Sequence, residues 1–126
     1  MLALCVDDND LSLEAAFLAL EKEGIQYQSS KSGKDALARI KELKPDVVIL
    51  DIKMKGMNGL EVCKKIKSDP ELKNIHVMIV SGSEDIVKAK AFGADSWYEK
   101  PFLPSELAKA LRAIAAAHNN PNLKPA

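Results

Sequence analysis

Five short apolar runs recur along the chain, separated by stretches in which apolar residues return every three or four positions. The runs are Leu2 to Val6, Ile25 to Ser29, Val47 to Leu50, His76 to Val80 and Ser96 to Tyr98. Two of them, Val47-Val48-Ile49-Leu50 and Val77-Met78-Ile79-Val80, are continuously apolar and rich in β-branched residues. Strands covered on both faces read this way, and parallel central strands are covered on both faces. The second run is weaker: Gln26 and Gln28 alternate with Ile25 and Tyr27.

Between the runs lie helical stripes with recognisable ends. Leu13, Ala16, Phe17 and Leu20 form the first, closed by Gly24. Ala36, Leu37, Ile40 and Leu43 form the second, opened by Ser32 with Asp35 three residues on and closed before Pro45. Leu60, Cys63 and Ile66 predict a short third helix ending near Pro70, and Ile86 to Phe92 a fourth, with Gly93 as its left-handed cap. Leu107, Leu111 and Ile114 predict a fifth, with Pro104 as its first residue and the weak capper Leu103 before it. Strand and helix alternate throughout. The fold class is therefore α/β: a doubly wound open sheet of five parallel strands with five helices on its two faces. Residues 1–118 form one domain, and residues 119–126, polar and Pro-bearing, read as a tail or a truncated linker.

Composition narrows the function. A chain of 126 residues has room for one domain, and at this size roughly two thirds of the unfolded surface can be buried, so no disulfide staple is needed. The 18 Lys and Arg balance the 18 Asp and Glu, which argues against a protein built to coat nucleic acid or an anionic membrane. Cys5 and Cys63 sit among apolar neighbours without metal-ligand spacing and read as buried thiols in a reducing compartment, the cytoplasm. Two aspartates follow the first six residues, leaving no signal-peptide core, and no apolar stretch is long enough to span a membrane.

Chemistry collects at the strand ends. Asp7 and Asp8 follow the first run, Asp51 the third, Ser81 the fourth, and Lys100 lies just past the fifth. In a parallel sheet these ends share one rim, where ligands of such folds bind. An acidic pair after a strand is by itself often only a helix cap. Adding Asp51 makes three carboxylates against one ammonium, a deficit suited to a hard divalent ion; oxygen ligands with room for water favour Mg²⁺ and a phosphate co-ligand. The rival EF-hand reading of DDNDLS fails, because Ser12 and Leu18 stand where that loop requires Gly and Glu. No phosphate-binding GxxxxGK[ST] loop exists, and neither His76 nor His118 falls in a triad pattern; both read as structural.

The motif set LCVDDND, VVILDIKMKGMNG, IVSGS and YEKPF resembles the receiver domain of bacterial two-component signalling, the fold of the stand-alone chemotaxis receiver. The resemblance covers about residues 1 to 117 and implies the flavodoxin-like strand order 2-1-3-4-5. It implies a phosphorylation-controlled signalling switch, a phosphoprotein within a two-component phosphorelay. Asp51 accepts a phosphoryl group from a phosphohistidine of a histidine kinase or phosphotransfer protein, with Lys100 and Ser81 assisting. Asp7, Asp8, Asp51 and the backbone carbonyl of Lys53 hold Mg²⁺. Lys100-Pro101 is a cis peptide, and Ser81 with Trp97 forms the switch, read out on the face of the fourth helix, fifth strand and fifth helix. Tyr98, on the other side of that strand, is expected to serve the core. The partners implied are the phosphodonor and a downstream effector protein or a domain outside this chain; neither nucleic acid nor membrane is contacted directly, and the chain is a monomer. Self-phosphotransfer and slow autodephosphorylation are the only catalysis expected. A Mg²⁺-dependent aspartyl-phosphate phosphohydrolase is the alternative, but such enzymes place an acid/base Asp where Lys53 stands. Other departures are Ser81 where Thr is more common, Lys55 where Pro is common, Trp97 where Tyr or Phe is usual, and a stretch from Ser81 to Gly93 about three residues short.

Overall fold

Successive residues along each central strand point alternately into two different cores. In the computed structural model, which describes residues 1–82 and 84–119, the first strand β1 (Leu2–Val6) is followed by α1 (Asp10–Lys22), β2 (Gln26–Ser30), α2 (Gly33–Leu43) and β3 (Val47–Leu50). Then come α3 (Gly59–Ser68), β4 (His76–Ser81), a 3-10 segment (Glu84–Lys88), β5 (Ser96–Glu99) and α4 (Pro104–Asn119). Leu4 and Val6, Val48 and Leu50, and Val77 and Ile79 face α2, α3 and the 3-10 segment. Ala3 and Cys5, Val47 and Ile49, and Met78 and Val80 face α1 and α4. The two-residue period sends one apolar run into both cores, which is why β3 and β4 carry no polar face.

All strands are parallel, in the order β2-β1-β3-β4-β5. The edge β2 keeps the exposed Gln26 and Gln28 that its alternation announced. Ser32 caps α2 through Asp35 N–H, as expected, and the structure adds two further caps: Asn9 on α1 through Ser12 N–H and Asn58 on α3 through Leu60 N–H. The Ser32 box is half-formed, since the Asp35 carboxylate takes bonds from Ser30 Oγ and Arg39. Both cysteines are free and buried, and burial pushes the Cys5 thiol up to about 12 and that of Cys63 up to about 11, leaving neither reactive. Among the described residues no helix is long and apolar enough to cross a membrane.

Two expectations need correction, and the proposed tail falls beyond the last described residue except for Asn119. The expected fourth helix at Ile86 to Phe92 is not an α-helix: a 3-10 segment at Glu84–Lys88 and turns at Ala89, Phe92 and Gly93 take its place, leaving four α-helices among the described residues. A 3-10 coil rises about 2.0 Å per residue against 1.5 Å for an α-helix, so a connection lacking nearly one turn covers the span in the more extended form. Gly93 still adopts the left-handed backbone (φ +94), closing the turns with its N–H on the Lys90 carbonyl. Tyr98, expected in the core, is 43% exposed. It shares the face of Val80, but β5 is the sheet's outer strand and α4 packs instead against α1.

Candidate functional site

The parallel ladder continues one bond past the strands, and those bonds place the chemistry. Asp7 N–H donates to the Ser30 carbonyl (3.1 Å), Asp51 N–H to that of Val6 (2.9 Å), and Lys100 N–H to that of Ser81 (3.0 Å). Residues from opposite ends of the sequence thereby meet at the carboxyl edge of the sheet. One oxygen from each of Asp7, Asp8 and Asp51 lies within 4.8 Å of the others. Asp7 is buried, Asp51 half-buried and Asp8 exposed.

The electrostatics are those of a crowded acidic mouth. Carboxylates at this separation repel by roughly 3 to 4 kcal/mol per pair at an effective dielectric of about 20. Burial, and then the charge of Asp7, push the Asp51 carboxyl above its ordinary range; Lys100, the Ile52 N–H and the Ser81 hydroxyl pull the other way. Lys100 Nζ lies 2.6 Å from Asp7 Oδ2, 3.1 Å from Ser12 Oγ and 3.7 Å from Asp51 Oδ1. The ammonium thus rests on Asp7 and faces Asp51 at ion-pair distance. Asp7 is committed twice, because its Oδ1 also accepts the Asn9 N–H at 2.9 Å. Asp8 and Asp51 offer the remaining oxygens, Asp51 while also accepting from the Ile52 N–H and the Ser81 hydroxyl. Hard carboxylate oxygens converging with one exposed member fit a divalent ion that keeps part of its water.

Of the remaining sequence-based site residues, Ser81 is buried at the end of β4 with its hydroxyl on Asp51. The Lys100-Pro101 bond is cis. Lys53 lies exposed in the loop after β3. Trp97, 41% exposed, shares the face of Ile79 on the side of the 3-10 segment.

Two residues were given no role at the site by the sequence reading. Gly59 opens α3 with its N–H on the Ile52 carbonyl (2.8 Å), and a Cβ there would lie 1.9 Å from the Asp51 carbonyl oxygen. The only signal was a glycine directly after a capping Asn. Ser12 reaches Lys100 from the first turn of α1; a hydroxyl four residues before buried Ala16, on the helix's inward stripe, was the legible clue.

Comparisons with known proteins bear on the fold and the family. Residues 3–112 match the family described as response regulator receiver domain. The DNA-binding response regulator MtrA of Mycolicibacterium smegmatis is 34% identical over 110 residues, which is 87% of this chain and 48% of that protein. The transcriptional regulatory protein CseB of Streptomyces avermitilis is 30% identical over 126 residues, 98% of this chain and 54% of that one. The chain spans about half the length of these relatives. Among solved structures, the chemotaxis response regulator CheY4 of Vibrio cholerae superposes with a TM-score of 0.81 at 28% identity, covering 90% of this chain and 97% of that one. The signal receiver domain of a DNA binding response regulator from Colwellia psychrerythraea 34H gives 0.84 at 27% identity, covering 92% and 98%.

Proposed function

The chain belongs to the response regulator receiver domain family, a family of phosphoryl-accepting signalling switches, and from that premise we propose that Asp51 is its phosphoryl acceptor. One Asp51 carboxylate oxygen attacks the phosphorus of a phosphohistidine carried by a sensor kinase or phosphotransfer protein. The O–P bond forms as the N–P bond breaks, and the departing imidazole takes up a proton from solvent. In the loose transition state negative charge lies on the equatorial oxygens, so catalysis rests on placed positive charge and donors, and no general base is required. The Lys100 ammonium, 3.7 Å from Asp51 Oδ1, supplies that charge. The Ser81 hydroxyl, now on Asp51, turns to donate to a phosphoryl oxygen after transfer.

Asp8, Asp51 and the Lys53 carbonyl would hold Mg²⁺, with Asp7 acting through a water. When bound, the ion supplies positive charge against the phosphoryl oxygens and between the carboxylates. Lys53 occupies the place of the acid/base residue that hydrolases of this chemistry use, so slow autodephosphorylation is the only turnover. The phosphoryl group draws in Ser81 and Lys100, and the change is read at Trp97 on the face of the 3-10 segment, β5 and α4. The receiver of the signal is an effector protein, a phosphotransfer protein or a domain outside residues 1–118, in the cytoplasm.

The observation that carries this reading is the meeting of Asp7, Asp8 and Asp51 oxygens within 4.8 Å beside Lys100. Incubation with acetyl phosphate and Mg²⁺ tests it by intact mass. The wild-type chain gains one phosphoryl group of about 80 Da and Asp51→Asn gains none. An unmodified wild type, or an adduct that persists in Asp51→Asn, overturns it.

A further inference from the structure

Ser12 lies outside the four motifs that carry the family resemblance, yet its hydroxyl lies 3.1 Å from the Lys100 ammonium, across 88 residues of sequence. An ammonium has three N–H donors and no acceptor. Here one is taken by Asp7 Oδ2 at 2.6 Å and one by Ser12 Oγ at 3.1 Å, and Asp51 Oδ1 stands at 3.7 Å. We propose that Ser12 is a positioning residue for phosphoryl transfer: by accepting one N–H it fixes the rotation of the Lys100 ammonium, leaving another N–H for the phosphoryl group arriving on Asp51. The inference rests on the reading of Asp51 as acceptor.

Three features favour positioning over a purely structural role. The cap of α1 does not use the hydroxyl, because it is the Ser12 backbone N–H that bonds Asn9 Oδ1 at 3.0 Å. The hydroxyl stands on a rigid element: α1 is capped at its start and packs along α4, with Ala16 and Ala19 of the same stripe buried. Its neutrality also matters. A further carboxylate at this place would compete with the phosphoryl group for the lysine's charge, whereas a hydroxyl orients the ammonium and lets it shift. Asp7 alone, with a single short contact, leaves the ammonium free to turn about that bond.

The test uses acetyl phosphate, a donor without a protein surface, so that any docking role of α1 cannot contribute. Adduct formation is followed by intact mass against donor concentration, in Mg²⁺, for wild type, Ser12→Ala, Ser12→Thr and Ser12→Val. Threonine and valine have the same shape and differ in the hydroxyl. Ser12→Ala and Ser12→Val are expected to lower the limiting rate roughly three- to tenfold, with half-saturating donor unchanged, while Ser12→Thr recovers most of the rate. Equal rates for the threonine and valine variants, or a loss confined to half-saturation, overturn the positioning role while leaving Asp51 as acceptor. A wild type that never gains the adduct overturns both.

Discussion

Among the described residues no buried side-chain nitrogen or oxygen lacks a partner, and how buried charge is answered differs between the two ends of the sheet. At the carboxyl end Asp7 is held by Lys100 and by the Asn9 N–H, and it raises Asp51 in turn. At the opposite end Lys67 pairs with Asp95 at 2.6 Å and donates to the carbonyls of Lys73 and Ile75. His76, half-buried beside this group, has Nε2 2.9 Å from Ser96 Oγ. Burial lowers its pKa below 6.5; Asp95 opposes that shift and Lys67 reinforces it. The sign follows: the unfolded chain binds a proton on His76 more readily than the folded one, so this contribution to stability is complete above about pH 6.5 and is lost as pH falls through the lowered folded value. His76→Gln, which keeps a hydrogen-bonding side chain but cannot titrate, is expected to flatten the fall in Tm between about pH 7 and pH 5. Parallel slopes for variant and wild type in thermal melts would remove His76 as the cause.

Among the elements, the helices with strong apolar periodicity formed as read, and the segment decided by its neighbours did not. Asn9, Ser32 and Asn58 each cap the helix that follows, because the capping bond is local and short-range sequence specifies it. The segment after β4 shows the opposite: Ile86 and Ala89 bury themselves as a helical stripe should, but the distance to β5 sets a 3-10 path. The start of α3 is another case of distance deciding, since Gly59 is required by the Asp51 carbonyl pressed against it. Gly59→Ala is expected to cost about 2–3 kcal/mol, because the neighbour is backbone and cannot swing aside. That corresponds to a Tm lower by roughly 10 °C in a domain of this size. A melt within two or three degrees of wild type, about the scale of a surface substitution, would show that the loop after β3 yields instead.

At the level of the whole molecule, the acidic mouth is a place where folding gathers like charges, and a bound cation should repay the repulsion as stability. Mg²⁺ at about 100 times its Kd is expected to add about 2.7 kcal/mol to the free energy of unfolding, and EDTA to remove it. Thermal or urea unfolding with and without the ion measures this, and a midpoint indifferent to Mg²⁺ would argue against an ion among Asp7, Asp8 and Asp51. The chain's own pattern determined the five strands, their parallel pairing, the helix starts and the convergence of Asp7, Asp8, Asp51, Ser81 and Lys100 on one rim, since period and strand direction suffice for these. The tertiary structure alone decided that Lys100 rests on Asp7 with Ser12 beside it, that Gly59 touches the Asp51 carbonyl, that the fourth helix gives way to 3-10 turns and that Tyr98 faces outward. Each of these depends on distances between segments far apart in sequence, which local pattern does not encode.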